Sequence, residues 1–255
     1  MATEQNIDGL KLCDIHTHIL PGIDDGCKTV RDAVPVLRIC AKHGINRLFF
    51  TPHYYSEMPV DGFVLKRQRA FSELKKEFTD DMPEVRFGAE VAYTHDILHL
   101  QGLEKLSLGG TEYILLEMPQ ERWTENMIND VVNMKYSLGL EPIIAHIDRY
   151  LDDQPASNIR MLEDTGILLQ MNAEYVFERA TEKKAKKLLK SGKIALLGSD
   201  CHDLLKRVQN LDAAAQAIID MKLPGELEKI CTLSNAIFDA SKNPNIVKIK
   251  RPQRS

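Results

Sequence analysis

The sequence predicts a single α/β domain built as a TIM-like (β/α)7 barrel, and three observations carry that expectation. Short apolar runs alternate with amphipathic stretches along the chain. Seven of these runs lead into a polar residue, and those residues recur about every 26–37 positions, the spacing of one βα unit. The length, 255 residues, is the usual size of a one-domain barrel.

Taken in order, the predicted strands are 10–15, 47–50, 84–89, 113–116, 142–145, 167–171 and 193–197. Each is short and rich in Ile, Leu, Val or Phe, as strands buried on both faces are. Helical patterns fill the gaps at 29–42, 62–78, 125–137 and 181–190, and two more at 212–221 and 225–239 complete an outer layer. Thr29, followed by Asp32, and Thr124, followed by Glu125, are suited to cap helix starts. Gly44, Gly139, Gly166 and Gly192 follow helices, where a left-handed residue closes the last turn. The polar residues past the strands are His16, His53, Glu90, Glu117, His146, Asn172 and Asp200. An open sheet would spread them along a wide edge, about 4.8 Å per strand. Closing the sheet brings them to one mouth, and this favours a barrel over a doubly wound sheet.

Composition narrows the function. Hydrophobic residues make up 44% and charged residues 27%, enough for a packed core. With 33 Lys plus Arg against 37 Asp plus Glu, the net charge of −4 argues against a nucleic-acid partner. No apolar run is long enough to insert into a membrane, and the first residues lack a signal-peptide pattern. Five cysteines without a CxxC pair fit reduced thiols, so a cytoplasmic location is expected. The barrel is expected over 1–240, with a basic, solvated tail at 241–255.

His16 and His18 flank Thr17, and in an extended chain such a pair points to one side and can reach one cation. Asp25, His53, Glu90, Glu117, His146, Asp200 and His202 are expected at the same mouth. Nine such groups without metal would suffer repulsion and desolvation, and they are too many for one ion. Mixed imidazole and carboxylate donors suit Mn, Fe or Zn. His43, His95 and His99 read as structural, with His43 at a helix C-terminus.

The segments DIHTHILPGIDDG, TPH, GAE, LLEMP, AHIDRY and SDCH resemble those of the PHP (polymerase and histidinol phosphatase) superfamily of metal-dependent phosphoesterases. They are most similar to the bacterial protein-tyrosine phosphatases of capsule and exopolysaccharide loci. The resemblance runs from about Leu12 to Arg207 and implies a distorted barrel of the PHP type. It also implies two to three divalent ions, typically Mn. By position, His16, His18, Glu90 and Asp200 would hold one ion. Glu90 would bridge to a second, bound also by Glu117 and His146, while Asp25, His53 and His202 would hold a third. Arg149 and Arg207 would grip the phosphate. The implied partner is a phosphotyrosine protein, a tyrosine kinase of polysaccharide export among the candidates.

The chemistry that follows is attack of a metal-ionised water on phosphorus, with the arginines meeting the charge that develops. A phenolate leaves readily, and no spare residue is an evident acid beyond His95, so an aryl phosphate is favoured over histidinol phosphate, the alternative substrate. Asp24 is expected to support a ligand or to cap a turn, Asp14 to orient an imidazole, and Tyr54, Tyr55, Met58 and Pro59 either to form a lip near the substrate ring or to pack as an ordinary loop. Cys201 and Arg207 match Cys-x5-Arg, the pattern of thiol phosphatases, but the intervening residues are bulky and acids flank the thiol. Amidohydrolase and deoxyribonuclease barrels use a histidine where this chain has Asn172. A metal-bound module without turnover is the remaining alternative.

Overall fold

The computed structural model describes residues 10–241, so almost all of the basic tail lies outside the described residues. The strands are β1 (Leu12–Asp14), β2 (Ile45–Phe50), β3 (His53–Tyr54), β4 (Glu84–Phe87), β5 (Glu90–Ala92), β6 (Tyr113–Glu117), β7 (Glu141–Ile144), β8 (Leu168–Asn172) and β9 (Leu196–Gly198). The helices are α1 (Val30–Lys42), α2 (Val60–Leu74), α3 (Glu125–Leu138), α4 (Ala156–Asp164), α5 (Ala173–Phe177), α6 (Glu182–Lys190), α7 (Leu211–Asp220) and α8 (Pro224–Asp239). Every strand pairing is parallel. The architecture is α/β with a curled parallel sheet.

The sheet differs from a single run of seven strands. It is split into β1-β2-β4 and β3-β5-β6-β7-β8-β9, because the second and third expected strands are each followed, after a two-residue break, by a further short strand beyond the expected end. The breaks fall at Thr51–Pro52 and Gly88–Ala89; Pro52 has no N–H to give a ladder. Single bonds cross the gap, from Gly88 N to Phe50 O at 2.9 Å and Glu90 N to Thr51 O at 3.2 Å. Past the other edge, Cys201 pairs with Thr17 in an isolated parallel bridge.

Side-chain alternation sorts the strands into two cores. Cys13, Ile15, Phe49, Leu115, Ile143 and Leu196 pack together with Ile237 and Phe238 of α8. Their neighbours Leu12, Leu48, Phe50, Ile114, Leu116, Ile144 and Leu197 join the larger core beneath the helices. A sheet with a small core on one face and helices on the other must curl around the small one. Thr29 caps α1 with Asp32 in a reciprocal box, and Thr124 accepts from Met127 N at the start of α3. Gly44, Gly139, Gly166 and Gly192 all adopt positive φ. His43 ends α1 and pairs with Asp212 at 2.8 Å.

Candidate metal centre

All the expected ligands lie at the carboxyl ends of the strands. The segment after β1 is stitched to the β2–β3 break by Thr17, whose N–H donates to Thr51 Oγ1 (2.9 Å) and whose hydroxyl donates to Phe49 O (2.7 Å). With Thr17 turned to the opposite side, toward Phe49 and Thr51, His16 and His18 point the same way, and all three are fully buried. Close backbone approach makes room for them. A Cβ at Gly26 would lie 1.9 Å from His18 O, and one at Gly198 would lie 2.5 Å from His16 Cβ.

Ring orientation follows from hydrogen bonds. Gln170 Oε1 accepts the backbone N–H of His146 at 2.8 Å, which fixes that atom as the amide oxygen. The His16 Nδ1 atom 3.1 Å away is therefore the N–H, and its Nε2 carries the lone pair. His18 Nδ1 donates to Asp24 Oδ2 at 2.6 Å, with the same result. The two Nε2 atoms face each other across 3.1 Å. Glu90 Oε2 lies 3.1 and 3.2 Å from them, and Asp200 Oδ1 lies 3.5 and 3.3 Å away. Both carboxylate oxygens are buried and accept no hydrogen bond among the described residues. Two lone pairs and two bare carboxylate oxygens around one point demand a positive charge.

The cluster extends outward without a gap. His146 Nε2 sits 2.8 Å from Glu90 Oε1 and 3.4 Å from Glu117 Oε1. His53 Nδ1 is 3.0 Å from Glu90, and Asp25 Oδ1 lies 3.6 Å from His53 and 3.2 Å from His202. Three sets have ligand atoms within 4.8 Å of one another: His16, His18 and Asp200; His53, Glu90 and Glu117; and His18, Asp25, His53 and His202. His146 and Asp200 hold φ of 33° and 55°, left-handed values that cost a non-glycine residue energy and cluster at functional sites.

Electrostatics mark the same residues. Burial alone would raise Glu90 and Asp200, but His16 with the neighbouring imidazoles holds both well below the carboxylate range. Burial would lower His18, yet the carboxylates of Asp200, Asp24 and Glu90 around it hold its pKa well above the ordinary value, so without a cation its Nε2 takes up a proton instead. His146, also buried, is held up at about 9 by Glu117 and Glu90. Desolvation, with the charges of His18 and Arg207, pushes His202 down to about 4. Such a cluster holds protons where divalent ions would displace them, so the donor set fits metal.

Asp200 has two distinct sides. Its Oδ1 faces the histidines, while Oδ2 accepts from Arg149 (2.5 Å), Arg207 and Asn172 (3.3 Å). Arg207 also donates to His202 Nε2 at 2.6 Å. The two arginines line an open cleft of about 180 Å³.

The structure thus brings all nine expected ligands and both arginines together. Other expectations need correction. Asp14 orients no imidazole; its Oδ1 accepts backbone N–H groups of His16 and Ser199. Gln170 does the orienting instead, and the signal was a polar side chain inside an apolar strand. Tyr54 is buried and donates to Met58 O, so of the expected lip Tyr55, Met58 and Pro59 are exposed and Tyr54 is not. Asp24, driven to about 2 by His18 against the effect of burial, supports a ligand as expected. Cys201 is fully buried and desolvation raises its thiol well above normal, which leaves no thiolate for nucleophilic attack. Among the described residues no helix is long and apolar enough to cross a membrane.

Comparison with known proteins follows the same residues. A family model for capsular polysaccharide synthesis, CpsB/CapC, matches residues 12–237. The tyrosine-protein phosphatase CpsB of Streptococcus pneumoniae is 27% identical over 219 residues, 81% of this chain and 89% of that protein. A solved structure from work on YwqE from Bacillus subtilis and CpsB from Streptococcus pneumoniae, described as unique metal-dependent tyrosine phosphatases, superposes with a TM-score of 0.76. That match is 23% identical and covers 91% of this chain and 96% of the other. Histidinol phosphate phosphatase from Lactococcus lactis, solved with Zn, L-histidinol and phosphate, shares the fold at a TM-score of 0.52 and 16% identity, covering 83% and 94%.

Proposed function

This chain belongs to the CpsB/CapC family of capsular polysaccharide synthesis, and from that premise we propose that it is a metal-dependent protein-tyrosine phosphatase. The observation that carries the reading is the pair of imidazole lone pairs 3.1 Å apart, ringed by bare buried carboxylate oxygens and flanked by two arginines. His16, His18, Asp25, His53, Glu90, Glu117, His146, Asp200 and His202 would hold two to three divalent ions, with Mn favoured and Fe or Zn alternatives. When bound, such ions supply a water acidic enough to attack phosphorus near neutral pH and screen the phosphoryl charge.

The residues themselves do the rest. Gln170 and Asp24 orient His16 and His18, so no reorganisation is needed when a cation arrives. Asp200 holds Arg149 and Arg207 side by side, their planar donors available to phosphoryl oxygens as charge builds. His146 and Glu117 close the far side, and Asn172 fixes the outer oxygen of Asp200.

The finer fold belongs to this proposal. The two sheets are arcs of one distorted (β/α)7 barrel over 1–240, a reading supported by the Thr17–Cys201 bridge and by the bonds from Asp200 N to His16 O (2.9 Å) and His18 N to Cys201 O (2.8 Å). The substrate is a phosphotyrosine protein, with a tyrosine kinase of capsule export as the first candidate. Action in the cytoplasm accords with five buried, free cysteines. The decisive experiment compares a phosphotyrosine peptide with histidinol phosphate. Hydrolysis of the peptide should vanish with chelator, return with Mn, and exceed that of histidinol phosphate; the opposite preference would make this a small-molecule phosphatase.

A further inference from the structure

The outer side of Asp200 opens onto a cleft lined by Arg149, Asn172, Glu174, Phe177, Lys206, Arg207 and Val208. Phe177 and Val208 are the two apolar residues of that lining. Phe177 ends α5, a helix anchored by Ala173 and Val176 in the core, and it packs on that core itself. Val208 is solvent-facing, at 38% exposure, directly after Arg207.

Both walls are fixed in place. The loop before Val208 is closed by Asp203, whose carboxylate accepts Leu205 N at 2.6 Å and Lys206 N at 2.7 Å. Backbone bonds from His202 N (2.8 Å) and Asp203 N (3.2 Å) to Arg207 O complete it. A slot with preset walls spends little ordering entropy on a ligand. Across the site, the Tyr55 ring already stacks on His53, with centroids 5.4 Å apart and planes 22° apart. On that side one face of a half-exposed ring is already taken by His53.

We infer that the phenyl ring of the substrate phosphotyrosine lies between Phe177 and Val208, and that these two side chains set the preference for aryl over small alkyl phosphates. The inference rests on the phosphotyrosine reading and deepens it. Three cations, Arg149, Lys206 and Arg207, against two acids, Asp200 and Glu174, favour an anionic phosphate end in the cleft, with the apolar pair left to meet the ring. An alkyl phosphate as small as phosphoserine has no ring for the apolar pair to meet.

The test is steady-state kinetics on phosphotyrosine and phosphoserine with saturating Mn. Val208→Ser and Phe177→Ala should each raise KM for phosphotyrosine roughly tenfold, with a much smaller change in kcat and in KM for phosphoserine. Phe177→Tyr, which keeps a ring, should restore the low KM. Circular dichroism and metal content report folding, and Val208→Ser sits at the surface, so one variant stays informative if the other unfolds. An unchanged KM for phosphotyrosine in folded Val208 and Phe177 variants, or a tenfold rise produced by Tyr55→Ala instead, overturns the inference. A wild-type chain that leaves phosphotyrosine untouched while cleaving phosphoserine overturns the phosphatase assignment first, and the slot with it.

Discussion

Two sides of the strands use arginine in opposite ways. On the small-core side, away from the ligand residues, Arg86 and Arg47 stack on Phe238 of α8, 4.2 and 5.0 Å from its ring. Arg47 also reaches Asn235 at 2.8 Å and Asp239 at 3.1 Å, and Arg86 donates to Val85 O. Their charge is consumed in closing the small core. At the carboxyl ends, Arg149 and Arg207 share one oxygen of Asp200, whose other oxygen faces two imidazoles. Here charge is arranged around a place where more charge can enter. One side of the same strands therefore closes a core and the other gathers bare carboxylate oxygens beside imidazoles, as barrel enzymes divide their work.

Substitutions on the two sides should separate stability from turnover. Asp200→Asn removes a proposed ligand and the anchor of both arginines, so hydrolysis should drop by about 10³-fold or more, while Arg207→Met should cost about 10²-fold. Bound metal, counted by elemental analysis, should fall in the first and persist in the second. Equal loss of metal in both would mean that Arg207 serves the cation cluster rather than the phosphate.

The small-core side predicts the converse. Phe238→Ala empties a fully buried ring position between two guanidinium groups and should lower stability by about 3–5 kcal/mol. Thermal denaturation measures this directly. Activity per folded molecule should hold near the wild-type level, and a large fall in kcat at a temperature where the variant is folded would break the division between the sides.

Much of this layout was legible in the sequence because each βα unit ends in a chemically distinctive residue. His16, Glu90, His146 and Asp200 could be placed at one edge from strand rhythm alone, since parallel strands share a direction. The two breaks in the sheet were not legible. Thr51–Pro52 follows the end of one expected strand and Gly88–Ala89 closes the next, and the shift of pairing partner beyond them leaves no mark on periodicity. Gln170 was missed for a related reason: in an apolar strand, a single amide reads as tolerated polarity until the atoms it bonds are known. Tyr54 and Tyr55 show the limit of adjacency, since strand alternation sends one ring into the core and the next over His53.

The smallest expected effect is also a sharp one. Cys201 lies between Asp200 and His202 in sequence, and its spacing to Arg207 matches a thiol phosphatase. In space, Arg207 turns to Asp200 and His202, while the thiol is directed at Asp203 O, 3.8 Å away, and is fully buried. A nucleophile needs an exposed thiolate near a positive charge, and burial here stabilises the neutral form. Cys201→Ser should then keep kcat within about threefold of wild type and lose on the order of 1–2 kcal/mol of stability from the buried hydroxyl. Alkylation under native conditions should leave activity intact for the same reason. Loss of turnover on replacing this sulfur, with His146 and Asp200 dispensable, would move the chemistry from the histidine cluster to the thiol and dissolve the contrast between the two sides.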